Sequence, residues 1–365
     1  MTSIEKFNSL LKLAIQHKAS DIHLKTKKYP VLRIDGRLKQ VETSPFSSTN
    51  LLEILDGIIP EAFKRRWMQN FQVDFSLYLP GTGRFRVNAF YQRATPSIVI
   101  RHVKDKIPDF TEINLDPGPF EKICNCPNGI AIICGATGSG KSTTLASMIN
   151  YVNENQDKHI VTLEDPIEYS YTDKKSIINQ REIGIDTPSF EMGITAAMRQ
   201  DPDVILVGEM RDADTFTTAL KAAETGHLVF GTLHASSSQQ AVQRLFEFYA
   251  PDIREIMRPQ IAASLRATVT QKLLPAVEGG RVPVTEIFWV DPLARQIIED
   301  GEFEKIARLV DSSDSDDSRS FNKDLLRLVK EGTVAKSDAM IASPHPQKLE
   351  MNLKGIFLSG GGIID

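Results

Sequence analysis

The chain has 365 residues, which at about 150 residues per domain suggests two to three domains. That is enough length to bury real cores without disulfides. Hydrophobic residues make up 41% and charged residues 25%, the balance of a globular chain rather than a fibrous or disordered one. The formal net charge of −4 supplies no global basic field, so no nucleic-acid partner is expected.

The N-terminus, Met1 to Ser9, alternates polar and apolar residues and lacks the apolar core of a secretory signal. Thr2-Ser3-Ile4-Glu5 has the form of a capping box. Ile4, Phe7, Leu10, Leu11, Ala14 and Ile15 follow at helical spacing, which predicts a helix to about His17. Ser20 to Leu24 and Val31 to Ile34 read as short strands, and Asp35-Gly36 as a hairpin turn. Leu51 to Gln69 reads as helix, interrupted at Pro60. A meander follows: alternation over Val73 to Leu79, a turn at Pro80 to Gly83, alternation over Phe85 to Tyr91, and a strand at Ile98 to Ile100. This predicts an α+β domain with an antiparallel sheet. Arg84, Arg86 and Arg101 sit on its strands, where a solvated sheet face is the default reading.

Asp109 to Phe120 is rich in Pro, Gly and acids and reads as a linker. Cys124, Cys126 and Cys134 are odd in number and clustered. They form neither a disulfide framework nor the ligand pairs of a structural zinc site, and read as reduced thiols of a cytoplasmic protein. The run Gly129 to Cys134 is apolar but far short of the ~20 residues of a membrane span, so no transmembrane segment is expected. From Asn128 apolar runs alternate with helical stretches: Ile130 to Cys134, Ile160 to Leu163, Val204 to Val207 and Leu228 to Leu233. That pattern predicts a parallel sheet in an α/β domain. After Pro292 the chain reads as helical. Asp311 to Ser320 interrupts it as a mobile Asp/Ser loop, and Ser359 to Gly362 reads as a flexible tail.

Gly135-Ala136-Thr137-Gly138-Ser139-Gly140-Lys141-Ser142 matches G-x-x-x-x-G-K-[ST], between the strand ending at Cys134 and a helix predicted over Ser142 to Asn153. Glycines let backbone N–H groups close round a phosphate with no Cβ in the way. The helix N-terminus adds positive potential. Lys141 is placed to meet the β- and γ-phosphates of ATP, and Ser142 to hold Mg²⁺. Hydrolysis also needs a carboxylate to hold the metal or orient water. Two strand ends deliver them: Glu164-Asp165-Pro166-Ile167-Glu168 after Leu163, and Gly208-Glu209 after Val207, the latter a Walker B strand with Glu in place of Asp. His234 follows a strand end and is placed to sense the γ-phosphate. His227, at a strand start, is open to a structural or a functional reading.

These segments resemble the PilT/PilU-type retraction ATPases of type IV pili, within the secretion ATPase superfamily. The resemblance rests on GATGSGKST (Gly135 to Thr143), TLEDPIEY (Thr162 to Tyr169), DPDVILVGEMRD (Asp201 to Asp212) and AAETGHLVFGTLHA (Ala222 to Ala235). ASDIHL (Ala19 to Leu24) and RFRVNAF (Arg84 to Phe90) are similar to the family's N-terminal segments. The resemblance implies a PAS-like N-terminal domain (1–108), a linker (109–120), a RecA-like ATPase core (121–292) and a helical extension with a flexible tail (293–365). It implies a hexameric ring binding ATP and Mg²⁺ between the two domains, with Gly135 to Thr143 as the nucleotide loop and Ser142 and Glu209 at the metal. Glu209 then matches the Walker B glutamate, and Glu164 and Glu168 the acidic-box glutamates; the base is Glu168 or Glu209. Arg84, Arg86 and Arg101 stand where family arginines reach the phosphates, and Arg199 and Arg211 are candidate triggers.

The resemblance also implies partners: an inner-membrane pilus platform protein and a paralogous retraction ATPase, with the motor peripheral at the inner face of the cytoplasmic membrane. The function implied is pilus retraction in twitching motility. The segment Leu293 to Asp300 departs from the helical motif of principal retraction motors, keeping Arg295 and Ile298. An accessory PilU-like paralogue is therefore the alternative. An extension or type II secretion ATPase is disfavoured by the missing four-cysteine insert. A nucleic-acid translocase and a non-hydrolysing scaffold are the readings of a different class.

Overall fold

The computed structural model describes residues 2–34, 36–103, 106–313 and 317–357. The chain divides into two compact units, Met1–Lys106 with Pro166–Ser170, and Ile107–Asp165 with Tyr171–Asp365.

The first unit holds α1 (Ser3–Gln16), β1 (Asp21–Lys25), β2 (Val31–Ile34), β3 (Arg37–Gln40), α2 (Ser48–Ile58), α3 (Glu61–Asn70), β4 (Gln72–Leu79), β5 (Gly83–Gln92) and β6 (Thr95–His102). The capping box is present: Glu5 N–H donates to Thr2 Oγ1 and Thr2 N–H to Glu5 Oε2. The strands form a sheet in the order β3-β2-β1-β6-β5-β4, every pairing antiparallel. Alternation sends Val73, Phe75, Phe85, Val87, Ala89, Ile98, Ile100, Ile22 and Leu24 into one core with Phe7, Leu11, Leu51 and Ile54 of the helices. Each of these larger apolar side chains contributes roughly 1.5–3 kcal/mol on burial. The opposite parity carries charge. The register sets Arg86 opposite Arg101, Arg101 opposite Asp21, and Asp21 opposite Arg33. Asp35 of the expected hairpin turn lies outside the described residues.

The second unit begins at α4 (Pro117–Cys124) and continues through β7 (Gly129–Cys134), α5 (Lys141–Asn155), β8 (His159–Glu164), β9 (Ile177–Glu182), α6 (Phe190–Ala197), β10 (Val204–Val207), α7 (Ala213–Glu224) and β11 (Leu228–Leu233). Then come α8 (Ser238–Glu247), α9 (Pro251–Ser264), β12 (Leu265–Pro275), β13 (Arg281–Trp289), α10 (Pro292–Asp300), α11 (Glu304–Ser312), α12 (Phe321–Lys330), α13 (Lys336–Ala342) and α14 (Pro346–Leu353). The sheet order is β13-β12-β7-β11-β10-β8-β9, parallel throughout except for β13. β7, β10 and β11 are buried at every position, because helices cover both faces of a parallel sheet. The order places β7 inside the sheet, between β12 and β11, and its C-terminal end opens where ligands of α/β sheets collect.

Three expectations change. Asp109 to Phe120, expected as a linker, is packed: Phe110, Leu115 and Phe120 are buried in the second unit's core, and α4 begins inside the segment. Residues 293–365 do not separate as a unit of their own. Ala294, Ile297, Ile298, Ile306 and Leu309 join a core of the second unit, and Phe321, Leu325 and Leu328 pack with Val282 and Val284 of β13. The Asp/Ser loop is held on both sides of 314–316, which lie outside the described residues. Asp311 and Ser312 end α11, Trp289 N–H donates to Ser318 Oγ, and Arg319 exchanges backbone bonds with Ile287. Arg319 also pairs with Asp116 at 3.1 Å. The expected tail falls outside the described residues.

Candidate active site

β7 runs straight into the glycine loop, and α5 starts at Lys141 with Gly140 as its N-cap. Gly135 and Gly140 have φ of 147° and 93°, a region that side chains avoid. Space is also short. A Cβ on Gly135 would lie 2.4 Å from Ser139 Oγ, and one on Gly140 2.6 Å from Gln271 Nε2. Ala136, Thr137 and Gly138 are exposed at the tip, and Ser139 is buried beneath. Lys141 Nζ donates to the carbonyls of Gly135 and Ala136 at 2.8 and 3.0 Å, so its charge is held at the mouth of the loop. Ser142 and Thr143 are half-buried in the first turn of α5. A curled loop with no Cβ on its close approaches, one lysine and a helix N-terminus fits a nucleotide phosphate chain.

Glu209 follows β10, two strands from β7. The turn that carries it is tied to β11: Met210 N–H donates to the Thr232 carbonyl and Thr232 Oγ1 to the Gly208 carbonyl. Two residues beyond Thr232, His234 Nε2 stands 3.2 Å from Glu209 Oε1. Arg211 donates to Glu209 Oε2 at 2.5 Å. That guanidinium bond holds the Glu209 carboxyl below its ordinary range, against the opposing effect of burial, with His234 and Lys141 adding to the lowering. Glu209 is therefore an ionised carboxylate whose field includes the loop lysine. Such a group can accept a proton or bind a cation.

Glu164 ends β8, the strand beside β10. It is buried and accepts from Thr162 Oγ1 at 2.7 Å and from Gln180 Nε2 at 3.1 Å. Gly208 N–H donates to the Leu163 carbonyl, which joins the two acidic strand ends. Lys141, Glu164, Glu209 and His234 thus all belong to the C-terminal edge of one sheet. Glu168 belongs to the segment Pro166–Ser170, which groups with the first unit, as do Arg84, Arg86 and Arg101. Arg86 and Arg101 are exposed and Arg84 is half-buried. Arg101 Nε is engaged by Asp21 at 2.8 Å.

His227 lies just beyond the end of α7, immediately before β11. Its Nδ1 lies 2.8 Å from the Ala222 carbonyl near the end of α7, a partner that accepts an N–H and so favours the Nδ1–H tautomer. Arg199 is exposed, just beyond α6. Among the described residues no cluster of three or more His, Cys, Asp or Glu could hold a metal ion alone. The donors present, the Ser142 hydroxyl and the Glu209 carboxylate, suit Mg²⁺ that arrives with phosphate oxygens. Sequence reasoning passed over β12 and with it Gln271, which lies behind the loop. No described helix is long and apolar enough to cross a membrane.

The site can be compared with known proteins. A family model for type II/IV secretion system proteins matches residues 2–279. The chain is 39% identical over 311 residues to a twitching motility protein of Neisseria gonorrhoeae, covering 85% of this chain and 83% of that one. It is 36% identical over 350 residues to the type IV pilus ATPase PilU of Pseudomonas aeruginosa, covering 96% and 91%. The crystal structure of the pilus retraction motor PilT with bound ADP superposes with a TM-score of 0.86 at 40% identity, covering 94% of this chain and 98% of that one. The matched stretch contains the glycine loop, both acidic strand ends and His234, so the chemistry and the likeness coincide: the chain belongs to the type II/IV secretion system protein family.

Proposed function

We propose that this chain is an ATPase motor that couples ATP hydrolysis to retraction of a type IV pilus. One observation carries the reading: Lys141 and Glu209 converge at the C-terminal edge of one sheet, in a chain similar over 94% of its length to an ADP-bound pilus retraction motor. Gly135, Ala136, Thr137, Gly138, Ser139, Gly140, Lys141, Ser142 and Thr143 bind the phosphates. Ser142 and Glu209 hold Mg²⁺, which supplies Lewis-acid neutralisation of phosphate charge when bound. Glu209 orients the attacking water and takes its proton, Glu164 braces the neighbouring strand end, and His234 orients Glu209. Glu168 is the second candidate base. The motor works as a homohexamer at the inner face of the cytoplasmic membrane, against a pilus platform protein.

Deleting the gene tests this reading. Lost twitching with an excess of surface pili is expected. Loss of pili would replace retraction by extension. The likeness to PilU over 96% of the chain supports a second reading, an accessory retraction ATPase, which predicts normal piliation in the deletion.

Arg84 and Arg86 are proposed to act on developing phosphate charge, and Arg101 less so because Asp21 already engages it. Arginine fingers contribute ~10³–10⁵ in rate. Arg84→Ala and Arg86→Ala should each lower kcat more than they raise KM, as measured by steady-state hydrolysis of the assembled protein. Unchanged kcat in both would return them to a solvated sheet face.

A further inference from the structure

We infer that Gln271 is a positioning residue of the glycine loop, setting nucleotide affinity from behind it. The inference rests on the nucleotide-binding reading above and deepens it.

Gln271 lies in β12 and is 2% exposed. β12 runs parallel to β7 with Thr270 opposite Cys134, so Gln271 comes level with Gly135, where the loop begins. The loop rests directly on it. A Cβ on Gly135 would lie 2.5 Å from the Gln271 carbonyl oxygen, and one on Gly140 2.6 Å from its Nε2. The glycines at these positions are therefore needed on the rear of the loop, against Gln271, and not only on its open side.

The carboxamide is used at both ends. Nε2 donates to the Ser139 carbonyl at 2.8 Å, and Oε1 accepts from Thr144 Oγ1 at 2.8 Å. One side chain thus joins the last peptide of the loop to the first turn of α5. The direction of that peptide matters. A trans peptide holds its C=O and N–H on opposite sides. Drawing the Ser139 carbonyl back onto Gln271 turns the Gly140 N–H away from it, to the open side of the loop. That is the kind of donor that cradles a phosphate. Gly140, at φ 93°, has the freedom to let this peptide rotate. Gln271 removes that freedom before nucleotide arrives. Preorganisation of this kind acts on binding.

The test uses the full chain with Gln271→Leu, Thr144→Val and the double variant. MgADP affinity is measured by calorimetry, with steady-state ATP hydrolysis and the unfolding midpoint alongside. Q271L should weaken MgADP about tenfold, the order expected for a lost buried bond and its orphaned partner. KM should rise in step while kcat changes by less than about threefold, the mark of uniform binding. T144V should shift affinity the same way by less, and the double variant should be no worse than Q271L, because both act on one bridge. Wild-type ADP affinity in a folded Q271L overturns the inference, even if the unfolding midpoint falls. If Q271L does not fold, T144V decides: unchanged affinity overturns it. Lys141→Ala separates the two levels. ADP binding that survives K141A removes the nucleotide site itself. Lost binding in K141A with normal binding in Q271L removes only the role of Gln271.

Discussion

Replacing Lys141 with alanine is expected to leave a folded chain that no longer turns over ATP. The fold should tolerate the change. The Lys141 ammonium donates to the Gly135 and Ala136 carbonyls of its own loop, and the side chain is half-buried rather than part of a core. The site should not tolerate it. The nucleotide brings several negative charges to a cradle otherwise built of neutral amides and a helix terminus, and charge-assisted bonds are about twice as strong as neutral ones. Removing a donor aimed at developing charge costs roughly 10²–10³ in rate. Lys141→Ala should therefore lower kcat/KM by at least about 100-fold and weaken MgADP in calorimetry. Phosphate release at near-normal rate would sink the reading of Gly135 to Thr143 as a nucleotide loop.

How much of this site the sequence displays depends on the range of the interactions. The glycine loop is legible because its residue types answer to one ligand over a contiguous stretch. β7, β10 and β11 are legible because strands buried on both faces must be apolar at every position. β12 is not. It carries Arg266, Thr268, Thr270, Gln271 and Lys272, and Thr268, Thr270 and Gln271 are buried in a strand whose partners are β7 and β13. Those partners are more than a hundred residues away on one side. Composition fails in the same way at Asp109 to Phe120. Its Pro, Gly and acids look like a linker, yet Phe110 stacks on Phe120 with centroids 5.4 Å apart. It fails again at Ser318 and Arg319, where a polar run is held by the backbone of β13. His227 shows the limit for single residues. The spacing gives its place before β11, but not that its backbone N–H and its ring both meet the Ala222 carbonyl near the end of α7.

Glu209 was legible as an acid at a strand end. Its pairing with Arg211 was not, although the two are separated by one residue. That pairing shapes the second large effect. Glu209→Gln keeps the size of the side chain and an oxygen that can still accept from Arg211. It removes the charge, and it presents an amide N–H group where the carboxylate faces either Arg211 or His234. A neutral amide cannot take a proton from water at any working pH. Loss of a positioned general base costs about 10²–10⁴ in rate. Glu209→Gln should thus bind ATP with near-normal affinity and hydrolyse it slower by that factor, giving a chain that retains ATP. A filter-retention assay with radiolabelled ATP, run beside single-turnover phosphate release, reads both halves. Normal single-turnover release would take Glu209 out of the chemistry and leave Glu168 as the base. Loss of binding together with hydrolysis would confine Glu209 to its metal-holding role and leave Glu168 as the base.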